Sequence, residues 1–245
     1  MDASERHELI DAVVLPEASM LRGSWVPASD EATAGASGDK AQICAGALLA
    51  YDRSLSREDG ADISNSTLFA QLAADAQADR FAQAAQWSTS YTNVLGVIGW
   101  VIGQAQHGSP GRLDAPVDWP EVVAKAFAGH AGAALAAKTM KAATRLPLGG
   151  AALEIWEANA AQVGQGNFIV QACQSSNGDV LGDAVQVTYT LIREPDGFLS
   201  WVTYYEVATT TTQSVLNEDV YKVVRQQIID KLGDLPDYYN APVPL

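Results

Sequence analysis

The sequence predicts an α+β fold: an antiparallel sheet built from the C-terminal half of the chain, with helices covering its faces. Three observations carry this. Residues 39–162 largely repeat apolar side chains at three- and four-residue spacing, the period of one helix face. Beyond Gly164 the period falls to two, in segments punctuated by Asn-Gly and Pro-Asp-Gly turns. A last helical stretch opens at Asn217 and stops at Gly233. Helices followed by a strand meander and a closing helix pack as helices on a sheet.

Taken in order, residues 1–38 read as an extended arm and loop: the apolar stretch Leu9–Leu15, then Trp25-Val26-Pro27 and a run of Ala, Ser, Gly and Asp. From Asp39 onward a single α+β domain is expected to fill residues 39–245. Ile43, Ala47 and Ala50 or Tyr51 are spaced as a helix ending near Ser56, which would carry Cys44 on its face. A second helix is predicted after Ser64 through Gln83. Tyr91, Val94, Leu95 and Ile98 continue the helical period until Gly99, and Trp100-Val101-Ile102 reads as a buried strand. Gly108–Pro116 reads as a surface loop. Asp118, Pro120 and Glu121 together form a helix start, predicting one helix to about Arg145 and a shorter one over Ala151–Gln162. Strands are then expected over Phe168–Cys173, around Val185–Leu191 and over Phe198–Leu216. Their turns fall at Asn177-Gly178 and Pro195-Asp196-Gly197, with Val187, Tyr189, Trp201 and Tyr205 buried. The tail from Leu235 is expected to be extended.

Composition narrows the partners. Fifteen Lys and Arg against 29 Asp and Glu give a formal charge of −14, and no basic run exists, so nucleic acid is an unsuitable partner. The same charge opposes adsorption to anionic lipid, so any lipid contact must be hydrophobic. Cys44 and Cys173 are too few for a disulfide framework and lack metal-ligand spacing, so no metal is expected. The acidic start Met1–Glu8 lacks the basic and then apolar order of a signal peptide, which predicts cytoplasmic synthesis and leaves only a signal-independent route of secretion open. No apolar run reaches the ~20 residues of a membrane helix. Phosphate-binding glycine loops, zinc-spaced Cys/His sets and nucleophile elbows are all missing. The acids Asp179/Asp183 and Glu194/Asp196 fall near turns and read as solvated.

Cys173 is the most informative single residue, since it closes the predicted central strand Asn167-Phe168-Ile169-Val170-Gln171-Ala172-Cys173 beside a tight turn. Its plain reading is a small buried apolar side chain; its chemical reading is a nucleophile or acylation site, with His130 as the candidate base. Alternation puts Ile169, Gln171 and Cys173 on one strand face. A ligand tunnel there would draw its walls from the Ala-rich stretch at Phe127, Ala131 and Leu135 and from the aromatic block at Trp100.

Two N-terminal helices, the Trp87–Val101 block, a helical hairpin, and the string Asn167–Ala172 leading through an Asn-Gly hairpin into long antiparallel strands and a final helix together resemble the Cyt cytolysin fold. They resemble more closely its bacterial relative, the Erwinia virulence factor family. The likeness spans about residues 39–232 and rests on layout and short strings. It implies a three-layer Cyt-like arrangement and, on the Erwinia side, a long fatty acid thioester-linked to the sheet cysteine, which by position is Cys173. A buried C16 chain gains on the order of 10 kcal/mol at about 0.8 kcal/mol per CH₂. Three functions follow as expectations: a lipid-binding protein S-acylated on Cys173, with fatty acid or an acyl carrier as partner and no other cofactor; an acyltransferase passing an acyl group through Cys173; or, as the Cyt resemblance implies, a membrane-perforating toxin whose strands from Val180 to Leu216 enter the lipid.

Overall fold

The computed structural model describes residues 1–17 and 38–245. In chain order these form α1 (Ala3–Ala12), β1 (Lys40–Cys44), β2 (Ala47–Tyr51), α2 (Arg57–Asp75), α3 (Ala84–Ile98), β3 (Trp100–Ile102), β4 (Gln106–His107) and β5 (Gly111–Asp114). There follow α4 (Trp119–Ala126), α5 (Ala133–Ala143), α6 (Ala151–Ala160), β6 (Ala161–Gln162), β7 (Gln165–Ser176), β8 (Asp179–Gly197), β9 (Ser200–Leu216), α7 (Glu218–Leu232), α8 (Pro236–Tyr239) and β10 (Asn240–Val243). The fold is α+β, around one sheet of order β10-β1-β2-β7-β8-β9-β3, with β4 and β5 also on β9 and β6 on β7. Pairs are antiparallel except β2–β7, which is parallel.

Each face of the sheet has its own helical layer. On one, Phe69 of α2, Trp87 and Ile98 of α3, and Tyr221, Val224 and Ile228 of α7 pack with Ile169, Cys173, Val180 and Leu216. On the other, Val123 of α4, Ala136 and Met140 of α5 and Ile155 of α6 pack with Leu48, Phe168, Val170, Val185 and Val187. Residues 168, 170 and 172 of β7 thus point one way and 169, 171 and 173 the other, as strand geometry requires.

Several local expectations are corrected. The segment 39–56 is a hairpin rather than a helix, turned at Ala45 with φ 51°. Ala47–Tyr51 are all buried, because β2 is covered on both faces, and such a strand has no alternation to distinguish it from a helix. The second helix starts at Arg57, eight residues early, because Ser56 and Asp59 form a capping box, and it stops at Asp75. The long helix expected over 118–145 breaks at residues 127–132, where Gly129 takes φ 87°. Gly108–Pro116 contributes β5, and the tail contributes β10 on the far edge of the sheet.

The arm opens with a capped helix, α1, whose His7 ring meets Gln227 of α7 at 2.6 Å and whose Arg6 guanidinium donates to the Val97 carbonyl. Trp25-Val26-Pro27 lies outside the described residues. Finally, β8 runs through Pro195-Asp196-Gly197 and reverses at Phe198-Leu199, with a register shift between Pro195 and Gly197. Trp201 is consequently 51% exposed; Val187 is buried, and Tyr189 and Tyr205 are half-buried around Trp119 at 4.7 and 5.6 Å between ring centroids.

Candidate functional site

The residues singled out around Cys173 are divided by the sheet. Trp100, Ile169, Gln171 and Cys173 lie on the α2–α3 side; Phe127 is buried on the α4–α6 side, and His130, Ala131 and Leu135 belong to that layer. A tunnel walled by Trp100 on one side and Phe127 on the other would have to cross the sheet. Cys173 is 1% exposed, and burial, followed by the negative charge of Asp183, pushes its thiol up, against a smaller opposing hydrogen bond from Gln171. Gly182 makes the tight packing here possible: a Cβ on it would stand 2.8 Å from Gln171 Nε2 and 3.0 Å from Ser214 Oγ. Trp100 Nε1 donates to Ser66 Oγ at 3.0 Å. Ala131 and Leu135 line a recess of about 250 Å³ together with Asp39, Asp52, Lys138, Ala172 and Cys173, a lining that mixes charged and apolar groups.

The hydrogen-bond partner of His130 is Asp183 rather than Cys173. His130 sits in the α4–α5 connection, in T-shaped contact with Phe127, and its Nδ1 is 3.3 Å from Asp183 Oδ1. Asp183, read from the sequence as solvated, is 7% exposed and accepts from the Gly132 amide at 2.9 Å and from Gln213 Nε2 at 2.9 Å. A Cβ at Gly132 would stand 2.7 Å from that of Ala172, so this loop lies directly on the sheet. Asp183 is thus the clasp between the α4–α5 layer and β8.

The larger pattern lies in the long strands. β7, β8 and β9 run for 12, 19 and 17 residues, each longer than the 9–11 a membrane strand needs. Register sorts their residues into two faces. Under α4–α6 lie Phe168, Val170 and Ala172 of β7, Val185, Val187, Tyr189 and Leu191 of β8, and Tyr205, Val207, Thr209 and Thr211 of β9. Toward α2–α3 the same strands present Asn167, Ile169, Gln171 and Cys173, then Val180, Ala184, Gln186, Thr188, Thr190 and Ile192, then Ala208, Thr210, Thr212, Ser214 and Leu216, apolar at the α2–α3 core and polar between.

Buried polar groups on that face are paired. Gln186 Nε2 donates to Asn167 Oδ1, Ser88 Oγ to Gln186 Oε1, and Asn167 Nδ2 to the Arg80 carbonyl, each at 2.8 Å. Arg80 itself spans Asp75, Gln71 Oε1 and the Asn159 carbonyl. The threonine run 209–212, which reads in the sequence as uniformly polar, divides between the faces.

The apolar stripe on β8 is bounded by Asp183 and Arg193 on the same face. From Val185 to Leu191 the stripe runs about 20 Å along the strand, or about 15 Å along a membrane normal at a tilt near 40°; the two bounding charges stand about 33 Å apart along the strand. Period two was legible in the sequence; the bounding role of Asp183 and Arg193 was not, because it requires the register.

Comparison with family models, curated proteins and solved structures returns no match. Among the described residues no helix is long and apolar enough to cross a membrane. Chemistry and geometry alone must therefore carry the functional argument.

Proposed function

We propose that this chain perforates membranes, with β7, β8 and β9 as its inserting elements, the function that the Cyt resemblance implies. The two-faced composition of these strands carries the proposal. A barrel wall needs an apolar outer face about 25 Å tall and a polar lumen, alternating residue by residue. Val185, Val187, Tyr189, Leu191, Tyr205 and Val207 supply apolar positions on one face, followed by Thr209 and Thr211, and Gln186, Thr188, Thr190, Thr210 and Thr212 supply polar ones on the other. In the closed form α4–α6 shield the lipid-facing side, and the Asp183 clasp holds that cover down; release of the cover exposes the stripe.

Dye release from phosphatidylcholine vesicles tests this. Micromolar protein is expected to release a small dye and to retain large dextrans, as a pore of defined bore does. Failure to release dye at that concentration overturns the proposal. Intact mass with and without hydroxylamine addresses the S-acylated alternative on Cys173, since a fatty-acyl increment removed by hydroxylamine would favour a lipid carrier instead.

A further inference from the structure

The two hairpin turns of the β7–β9 meander are built from opposite materials. Between β7 and β8 the chain reverses at Asn177-Gly178, with φ 55° and 92°, the residues that tolerate such angles best. Between β8 and β9 it reverses at Phe198-Leu199, and Leu199 takes φ 58° although a branched side chain is disfavoured there. Phe198 is 95% and Leu199 84% exposed. A turn that sets a strained leucine and a bare phenylalanine at its apex serves the folded monomer poorly, so the residue choice points to a use outside it.

The polarity behind the apex is graded. Next along the hairpin comes Trp201, with the Arg193 guanidinium 4.8 Å from its ring centroid, and then Tyr204, with Arg112 at 3.6 Å. Apolar apex, then indole with arginine, then phenol with arginine is the depth order of a bilayer interface, in which aromatic rings and snorkelling cations occupy the headgroup level. Around the hairpin end Arg112 and Arg193 face Asp114, Glu194, Asp196 and Glu206, two positive charges against four negative, on a chain of net charge −14. Anionic lipid is repelled by that balance.

We propose that the Phe198–Leu199 turn is the membrane-docking tip and that its target is the interface of a neutral, zwitterionic phospholipid bilayer. The inference rests on the membrane-perforating reading and adds which end of the molecule touches lipid first and which lipid it selects. Flotation with phosphatidylcholine vesicles tests it. The wild type is expected to float, and F198S/L199N, whose asparagine suits the backbone angle, is expected to partition at least tenfold less while unfolding at no lower temperature.

Cys44 and Cys173 are both buried, so S200C offers a single accessible thiol for an environment-sensitive dye while keeping Phe198 and Leu199. Its emission is expected to shift to the blue on phosphatidylcholine vesicles, whereas the same dye at D179C, at the opposite end of β8, stays unshifted during docking. A double variant that floats like the wild type overturns the tip and leaves the perforating reading in place. Binding that strengthens with phosphatidylserine overturns the choice of lipid. Wild-type protein that does not float with zwitterionic vesicles overturns both readings.

Discussion

The two faces of β7–β9 are both covered by helices, yet the α4–α6 face is the more apolar and the α2–α3 face mixes a core of Ile169, Cys173, Val180 and Leu216 with amides and hydroxyls. Under α4–α6 burial is mostly apolar, and Phe168, Val185 and Val187 need no polar partners, while Asp183 and Thr211 are buried with theirs. Toward α2–α3 burial includes amides and hydroxyls, and a buried amide left unpaired costs about 1–3 kcal/mol. The chain meets that cost with Gln186–Asn167, Asn167–Arg80 and the Arg80–Asp75 pair.

The comparison is broken most directly at Arg80, whose side chain is 5% exposed and whose donors hold Gln71, Asp75 and the Asn159 carbonyl together. Arg80→Ala is expected to cost about 3 kcal/mol in urea unfolding, because it leaves buried acceptors unpaired. On the apolar face Val187→Ala removes only packing and is expected to cost about 2–3 kcal/mol by the same measurement. Asp183→Asn keeps the shape of the clasp while weakening charge-assisted bonds; a loss of about 1–2 kcal/mol is expected, together with faster dye release from phosphatidylcholine vesicles.

Thr188→Val with Thr210→Val separates closed-form stability from conductance. Both side chains are only partly buried, so closed-form stability should move by less than about 0.5 kcal/mol. If the perforating proposal holds, single-channel conductance should nevertheless fall, because two hydroxyls assigned to the lumen in each chain become methyls. Unchanged conductance would remove the lumen assignment of this face.

The smallest expected effect concerns the thiols beneath α2–α3. Burial pushes the Cys44 thiol up to about 12, opposed by weaker contributions from Ser64 and Arg80, and burial pushes Cys173 in the same direction. A folded-state value above the unfolded one means that the native state holds the proton longer. The associated stability is present below about 8.5, the unfolded thiol's value, and is lost as pH rises from there toward the folded value. Disulfide-exchange reagents at pH 8 are therefore expected to modify neither cysteine until the protein unfolds, and stability should decline in alkali.

Particular residues mark how far the sequence could be read. Asn217 and Gly233 bound α7 as expected from capping, and the alternation of Val185–Leu191 marked β8, because these signals are local. Asp118 likewise opened α4, while Gly129 ended the helical run earlier than periodicity implied. The β1–β2 hairpin was hidden by complete burial of β2, which erases alternation. Pro195-Asp196-Gly197 looked like a turn because turn propensity is local, whereas the β8–β9 register carried the strand past it to Phe198-Leu199.

By itself the sequence determined the α+β composition, the three long strands and their two-residue period, since each arises from side-chain chemistry within a few residues. Only the tertiary structure decided which helical layer covers which face. It placed Cys173 and His130 on opposite sides of the sheet, brought Asp183 under Gly132, and left Phe198 and Leu199 bare at the hairpin apex. The physical reason is that alternation gives each strand two faces without naming either, and the assignment comes from pairing and packing between residues far apart in the chain.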